Sequence, residues 1–421
     1  MLAGCAEPTT SLDTTPATGS STSAGDDSTS SEGEGDTTDG ETPLELCPAE
    51  CTPLLLPSWT YEGPPNHYTV VEMLRSPDGA LTLGTQQLHG VIGLTRLSAD
   101  GGLEWAVNPG LPCGADCRLV DVVLHPSGDV LLSASAPANG LIPARSLVAR
   151  WDASARTIRW IRDVTFGYVP SASSRAGELV VLDDDRIVQS RVRGVEGGEV
   201  LEVLELNAEG DVRTLRPVIG QSPTDAGWPL LAQPGQGGEL LLGHASRDED
   251  SDPIRAASSR LLPPNYALLT QQPLPIVLDD LRVDSAGRRL ELARSDGNET
   301  ITLQVTSRRS SDPERWTISQ PMLSTANTRA ALAVGPDDDV YVAARTTPRI
   351  APGETEIVVS LDVARWTADG QLRFGATRPF PMMATPDPLE LVVDEDDGLI
   401  VGTVVGGDLR VERFEQACAC D

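Results

Sequence analysis

From residue 54 onward the apolar positions gather in short runs of strand length, broken by clusters of Asp, Gly and Pro. The clearest copy is Leu94-Thr95-Arg96-Leu97, then Ser98-Ala99-Asp100-Gly101-Gly102, then Leu103-Glu104-Trp105. It predicts a strand, a tight Asp-Gly turn and a second strand carrying a tryptophan. Apolar runs of this length suit strands buried on one or both faces.

Turns of this kind recur down the chain. They are Ser76-Pro77-Asp78-Gly79, Pro126-Ser127-Gly128-Asp129, Asp183-Asp184-Asp185, Gly235-Gln236-Gly237-Gly238, Asp284-Ser285-Ala286-Gly287, Asp337-Asp338-Asp339 and Asp396-Asp397-Gly398. Their spacing is about 50–60 residues, slightly above the kelch period. Each turn is followed by a β-rich run, at 81–83, 130–132, 186–188, 240–242, 290–292, 340–342 and 399–401. Third strands are expected at 94–97, 147–151, 203–206, 258–262, 301–305, 361–366 and 409–414. Fourth strands are expected at 103–107, 158–162, 212–215, 266–269, 315–318 and 372–375. Trp105, Trp160 and Trp316 hold one equivalent place on the fourth strand, and Phe374 takes it once. A flat ring there covers the sheet against its neighbour, burying about 150–250 Å².

Four strands in each of seven units predict an all-β, seven-bladed β-propeller over residues 45–421. No single unit buries both of its faces, so the units must stack into a ring. The last unit lacks a fourth strand, whereas an orphan strand at 54–60 precedes the first, with Trp59 at the tryptophan position. The N-terminal strand is therefore expected to complete the last blade. On these turns the chain resembles secreted bacterial propellers with PQQ-like and delta-60-type repeats. That resemblance implies the fold alone. The quinone of the PQQ enzymes does not carry over, and no cofactor is expected.

Cysteines tie into this picture. Six come in three close couples, Cys47 with Cys51, Cys113 with Cys117 and Cys418 with Cys420, while Cys5 stands apart. Close couples without neighbouring histidines point to disulfides and an oxidising compartment rather than zinc. Cys47 and Cys51 precede the orphan strand, and Cys418 and Cys420 follow the last one. Antiparallel geometry suggests Cys51 with Cys418 and Cys47 with Cys420, the alternative being local pairing within each couple. Cys113 and Cys117 are expected to pair with each other.

Ahead of the propeller, Leu2-Ala3-Gly4-Cys5 resembles the lipobox of bacterial lipoproteins. The resemblance implies that residues before Cys5 are removed and that Cys5 carries lipid; only Met1 stands ahead of the match. Residues 1–5 are thus read as a lipobox remnant. Residues 6–44 are Thr, Ser, Gly, Asp and Glu with almost nothing apolar, which predicts a disordered acidic linker. About 40 flexible residues span roughly 35 Å root-mean-square. Its acids, Asp26, Asp27, Glu32, Glu34, Asp36 and Asp39, lack the fixed cage that calcium requires. The chain has no apolar run of about 18 residues that would form a membrane-crossing helix.

The formal net charge is −30, and all 32 basic residues are Arg. Such a chain repels phosphate backbones, so nucleic acid is excluded as a partner. His67, His89, His125 and His244 fall singly in different units and in no metal spacing. No serine-nucleophile elbow, Walker loop or dinucleotide fingerprint occurs, and no catalytic residue is assigned. Asp337, Asp338, Asp339, Asp394, Asp396 and Asp397 crowd two turns and are weak calcium candidates beside an ordinary role in Asx turns.

Longer irregular loops are expected at 107–118, 136–145, 165–175, 217–228, 246–256, 345–356 and 376–388, with Tyr168, Trp228, Arg349, Met382 and Met383 as candidate contacts of a binding face. The innermost strands read as apolar or small. Together these features predict a monomeric, exported, lipid-anchored binding or scaffolding module at the cell envelope, facing the periplasm or set in the outer membrane. Its partner would be a protein or glycan. The alternative is a hydrolase- or lyase-like propeller enzyme with its site in the central channel, which charged inner strands would favour.

Overall fold

The computed structural model describes residues 47–48, 51–65, 67–87, 90–113, 117–136, 144–165, 174–182, 185–195, 198–222, 230–235, 239–248, 251–274, 277–296, 301–308, 316–322, 330–346, 359–380, 389–405 and 407–420. Among them there is no α-helix. The strands form four-stranded antiparallel sheets in a propeller-type arrangement.

The chain enters with β1 (Cys51–Pro65). The first sheet is β2 (His67–Arg75), β3 (Leu81–Gln87), β4 (Ile92–Leu97) and β5 (Leu103–Val107); the second is β6 (Arg118–Leu124), β7 (Val130–Ala136), β8 (Arg145–Asp152) and β9 (Thr157–Asp163). The third holds β10 (Ser174–Val181), β11 (Ile187–Val195), β12 (Gly198–Leu206) and β13 (Val212–Ser222), and the fourth β14 (Leu230–Gly235), β15 (Glu239–Asp248), β16 (Ser251–Leu262) and β17 (Ala267–Leu274). The fifth has β18 (Val277–Val283), β19 (Arg289–Asp296), β20 (Ile301–Arg308) and β21 (Trp316–Met322). The sixth has β22 (Ala330–Val334), β23 (Val340–Thr346), β24 (Val359–Trp366) and β25 (Leu372–Phe380). The last comprises β26 (Glu390–Val393), β27 (Leu399–Val405) and β28 (Asp408–Cys420), with β1 beyond β28.

First strands lie against first strands, in the order β2, β6, β10, β14, β18, β22, β26 and back to β2. They form the inner layer. The second strands are buried on both faces: every residue of Val130–Ala136 is buried. That is why they read as unbroken apolar runs rather than alternating ones. Outer strands have one wet face, and in Leu103–Val107 only Trp105 is fully buried.

The core consists of apolar pools between neighbouring sheets. One joins Val70, Met73, Leu81 and Leu83 of the first sheet to Ile400, Val404, Leu409 and Val411 of the last. Another joins Leu131 and Val148 of the second to Leu179, Ile187 and Leu204 of the third.

A repeated contact fastens the outer edge. Trp59, Trp160 and Trp316 seat their rings on Gly101, Gly210 and Gly370, each in the turn between third and fourth strands of the following sheet. The Trp160 and Trp316 indoles also donate to the carbonyls of Ala208 and Ala368, both at 3.0 Å. Trp59 thus joins the sheet containing β1 to the first sheet. At Gly101 the backbone is left-handed (φ +82°), and an added Cβ would stand 2.6 Å from the Trp59 ring. Gly101→Ala should therefore cost about 2–4 kcal/mol, from the left-handed backbone and overpacking together. Gly128 has a similar φ of +86° but open space around it. Gly128→Ala should cost only about 1–2 kcal/mol. Denaturant melts of the two variants compare them; equal losses would remove the ring contact as a source of stability.

β1 pairs along β28 with Cys51 opposite Cys420 and Pro53 opposite Cys418. The disulfides are Cys47–Cys418, Cys51–Cys420 and Cys113–Cys117, with Cα separations of 5.5, 4.3 and 5.2 Å. This corrects the expected pairing of Cys51 with Cys418 and Cys47 with Cys420. Simple antiparallel extrapolation assumes that Cys47 continues the strand. Instead the Cys51 amide donates to the Pro48 carbonyl at 2.9 Å, so the chain turns back. Cys47 then lies beside Cys418, its sulfur 3.7 Å from the Ala417 carbonyl.

The expected irregular loop at 246–256 is also corrected. β15 runs to Asp248 and β16 starts at Ser251, with Ser246 opposite Arg255. Its charged residues suggested a loop, but ladder pairing carries the strands through them.

Candidate functional site

The inner strands converge on a charged cluster that their sequences conceal. Glu72 of β2, Asp121 of β6, Glu178 of β10, Asp280 of β18 and Glu390 of β26 each stand four residues before the opening residue of the following turn, namely Ser76, His125, Leu182, Asp284 and Asp394. β18 adds Arg282. This overturns the expectation of apolar or small inner strands. The usable signal was a carboxylate at one repeat position in five units; its weakness was that most of these apolar runs hold only one acid.

Local geometry turns these residues inward. Register shifts between Val70 and Glu72, Leu119 and Asp121, and Leu278 and Asp280 mark β-bulges in β2, β6 and β18. A bulge re-aims the side chain beside it. Asp121 accepts from the Val122 amide at 2.7 Å and, on the next sheet, from the Leu179 amide at 2.6 Å. Asp280 repeats the arrangement with Leu281 at 2.7 Å and Leu332 at 3.0 Å. Both carboxylates therefore lock one inner strand to the next.

Arg282 reaches between sheets that are not neighbours. Its Nε is 3.2 Å from Asp280 Oδ1, and its Nη2 is 3.6 Å from Glu72 Oε1 of the first sheet. The Glu72, Asp280 and Arg282 side chains retain 18%, 17% and 37% exposure, so solvent still reaches a cluster enclosed by protein.

Burial dominates the titration of the carboxyls. It pushes Glu72 up to about 8, with Arg282 pulling back and the Asp121 and Asp280 charges adding to the rise. It pushes Asp121 up to about 7 against its two amide donors. Glu390 is raised well above the usual carboxylate range, by burial first and then by Glu72. Arg282 is held more firmly protonated, chiefly by Asp280. One guanidinium is too little positive charge for the carboxyls around it.

The weak calcium candidates meet arginines and backbone instead. Asp339 is buried, 2.7 Å from Arg365 Nε and 3.0 Å from Arg373 Nη1. Asp338 accepts from the Ser285 amide at 2.9 Å and its hydroxyl at 2.7 Å. Asp397 meets Tyr341 Oη at 3.0 Å and Arg365 Nη2 at 2.8 Å, so Arg365 bridges the sixth and last sheets. Asp394 takes Arg413 Nε at 2.5 Å and the amides of Asp396 and Gly398 at 3.0 and 2.7 Å. Asp337 and Asp396 stay exposed. Among the described residues no three His, Cys, Asp or Glu side chains are placed to hold a metal ion. Beside this bridge a cleft of about 390 Å³ is lined by Arg365, Asp396, Asp397, Gly398, Arg413, Glu415 and Gln416.

His125 is buried. Its Nδ1 accepts from the Ser127 amide at 3.1 Å and lies 3.2 Å from Arg150 Nη2, while burial lowers its pKa. It serves the second sheet's turn rather than a reaction centre. Cys5, Tyr168, Trp228, Arg349, Met382 and Met383 lie outside the described residues, as does His89.

No family model matches the chain, and no curated protein matches it. Solved structures resemble it in shape. The Dos1 propeller aligns with a TM-score of 0.49 at 11% identity, covering 86% of this chain and 95% of that one. A protein of unknown function from Dyadobacter fermentans aligns at 0.48 and 10%, covering 86% and 99%. An α-L-arabinofuranosidase from Fusarium graminearum aligns at 0.48 and 12%, covering 86% and 98%. Likenesses at this level say nothing of activity.

Proposed function

We propose that the chain is a seven-bladed propeller whose ring β1 completes, that Cys5 holds it to the cell envelope through lipid, and that it serves there as a rigid binding or scaffolding module for a protein or a glycan. The observation that carries this reading is the meeting of both ends of the folded unit in one sheet, joined by disulfides 371 and 369 residues apart in sequence. Such joints suit an oxidising compartment. They also hold the connecting segments, where recognition concentrates, on a fixed frame.

Fractionation of the source cells tests the anchor. The chain should sediment with membranes and be released by detergent, and Cys5→Ser should move it to the soluble fraction. Immobilised protein should also retain a protease- or glycosidase-sensitive envelope component. A soluble wild type would sink the anchor, and retention of nothing from envelope extracts would sink the binding role.

A second reading, a hydrolase- or lyase-like enzyme working at the centre of the ring, is favoured by the cluster of Glu72, Glu390 and Arg282. Carboxyls held protonated near neutral pH are suited to general-acid work. Under this reading wild type turns over an envelope glycan and Glu72→Gln or Glu390→Gln abolishes turnover with retention intact. Retention without turnover leaves the binding module.

A further inference from the structure

The inner cluster has a consequence that depends on neither partner nor activity. Carboxyls from five inner strands face one guanidinium. Two of them, Asp121 and Asp280, also bind the backbone of the next sheet. The site where charge accumulates is therefore the site where the sheets are fastened to each other. We propose that this cluster is a pH-sensitive fastener: the inner strands are held together most tightly in mild acid and loosen as the solution becomes alkaline.

The described inner strands supply the charges of the cluster. β2 contributes Glu72, β6 Asp121, β10 Glu178, β26 Glu390, and β18 both Asp280 and Arg282. β22, which reads Ala330-Ala331-Leu332-Ala333-Val334, contributes no charge. The side chains of β14 fall outside the described residues; its sequence, Leu-Leu-Ala-Gln-Pro-Gly, contains no titratable group.

The direction follows from proton linkage. Glu72 rises from an ordinary 4.5 to about 8, and Asp121 from 3.8 to about 7. Between those limits the folded chain keeps protons that the unfolded chain has released. Unfolding then releases protons, and stability falls with rising pH. The contribution is whole below about pH 4 and is lost as pH passes through about 7–8. Above that range several carboxylates face Arg282 alone, and their repulsion bears on the inner strands.

Thermal melts of the full chain decide the matter when run at about pH 5.5 and about pH 8.5. Wild type should melt lower at the alkaline pH by about 5 °C or more, given about 2–4 °C per kcal/mol for large domains. The double variant Glu72→Gln/Glu390→Gln carries neutral amides in place of two carboxyls whose pKa burial raises, and should lose at least half of that difference. Glu209→Gln removes an exposed charge on a turn and should leave the difference intact, which separates the cluster from the overall net charge. An unchanged difference in the double variant overturns the proposal, and so does an equal reduction in Glu209→Gln.

If the double variant does not fold, amide exchange of the wild type supplies the answer. After correction for intrinsic rates, β2, β6 and β18 should open at least about tenfold more often at the higher pH, relative to outer strands. Uniform change across inner and outer strands overturns the proposal.

Discussion

Removing both end-joining disulfides should cost about four times as much stability as removing either one. The two bonds close nearly the same long loop, of 371 and 369 residues. In the chain-entropy relation the first bond across such a loop is worth about 6 kcal/mol. Once it exists, the second closes only the small ring running through Cys47–Cys51 and Cys418–Cys420, worth about 2 kcal/mol. Cys47→Ser/Cys418→Ser and Cys51→Ser/Cys420→Ser should therefore each lower the melting temperature by about 5 °C, and the fourfold variant by about 20 °C. A loss of about 8 kcal/mol takes up much of a typical domain's 5–15 kcal/mol, so the fourfold variant should sit near its folding limit. Simple additivity of the two pairs would contradict this account, and a fourfold variant as stable as wild type would show that β1 holds its place without them. The native protein melted with and without reductant gives an independent comparison.

The outer architecture was legible because it rests on local chemistry. Asp-Gly turns such as Ser98-Ala99-Asp100-Gly101 need a left-handed residue, and Gly101 supplies it. Second strands such as Val130–Ala136 stood out as unbroken apolar runs because both of their faces are covered. Trp59 was recognisable by its likeness to Trp160 and Trp316. Its seat on Gly101 was not, since that contact joins residues 42 apart on different sheets. The cysteine couples announced a junction between the chain ends, yet the partner of each depended on the turn at Pro48, which carries no periodic signature. At the inner cluster the acids are scattered, mostly one to an apolar run. Only the assembled sheets make Glu72 a neighbour of Arg282, 210 positions further along. The acidic turns carried the opposite ambiguity. Asp339 and Asp394 looked like metal ligands by composition, but they meet Arg373 of β25 and two arginines on third strands, Arg365 and Arg413. There the repeat position of Arg96 is held by Arg150, Arg260, Arg365 and Arg413 in other sheets.

Glu202→Ala should be among the most damaging single substitutions, whereas Arg191→Met should be mild. Glu202 on β12 faces Arg191 on β11 in register and is buried with it. Its Oε2 takes Arg191 Nε at 3.0 Å and Nη2 at 2.6 Å; its Oε1 takes Arg193 Nε at 2.9 Å and Nη2 at 2.7 Å. One carboxylate thus answers two guanidiniums, and burial already lowers the Arg191 pKa against the pull of Glu202. Removing Glu202 takes away the carboxylate that both guanidiniums share, and breaking a buried ion pair usually costs about 3–5 kcal/mol. Removing Arg191 leaves Glu202 paired with the half-exposed Arg193, and Met refills the apolar volume of the stem. Because Glu202 keeps a charged partner, the loss should be about 1–2 kcal/mol, below the roughly 3–5 kcal/mol of a buried pair broken outright. Urea melts of the two variants measure the asymmetry. Equal losses, or a larger loss for Arg191→Met, would mean that the Arg191 contact to the Val164 carbonyl of the second sheet, rather than the charge balance, holds this interface.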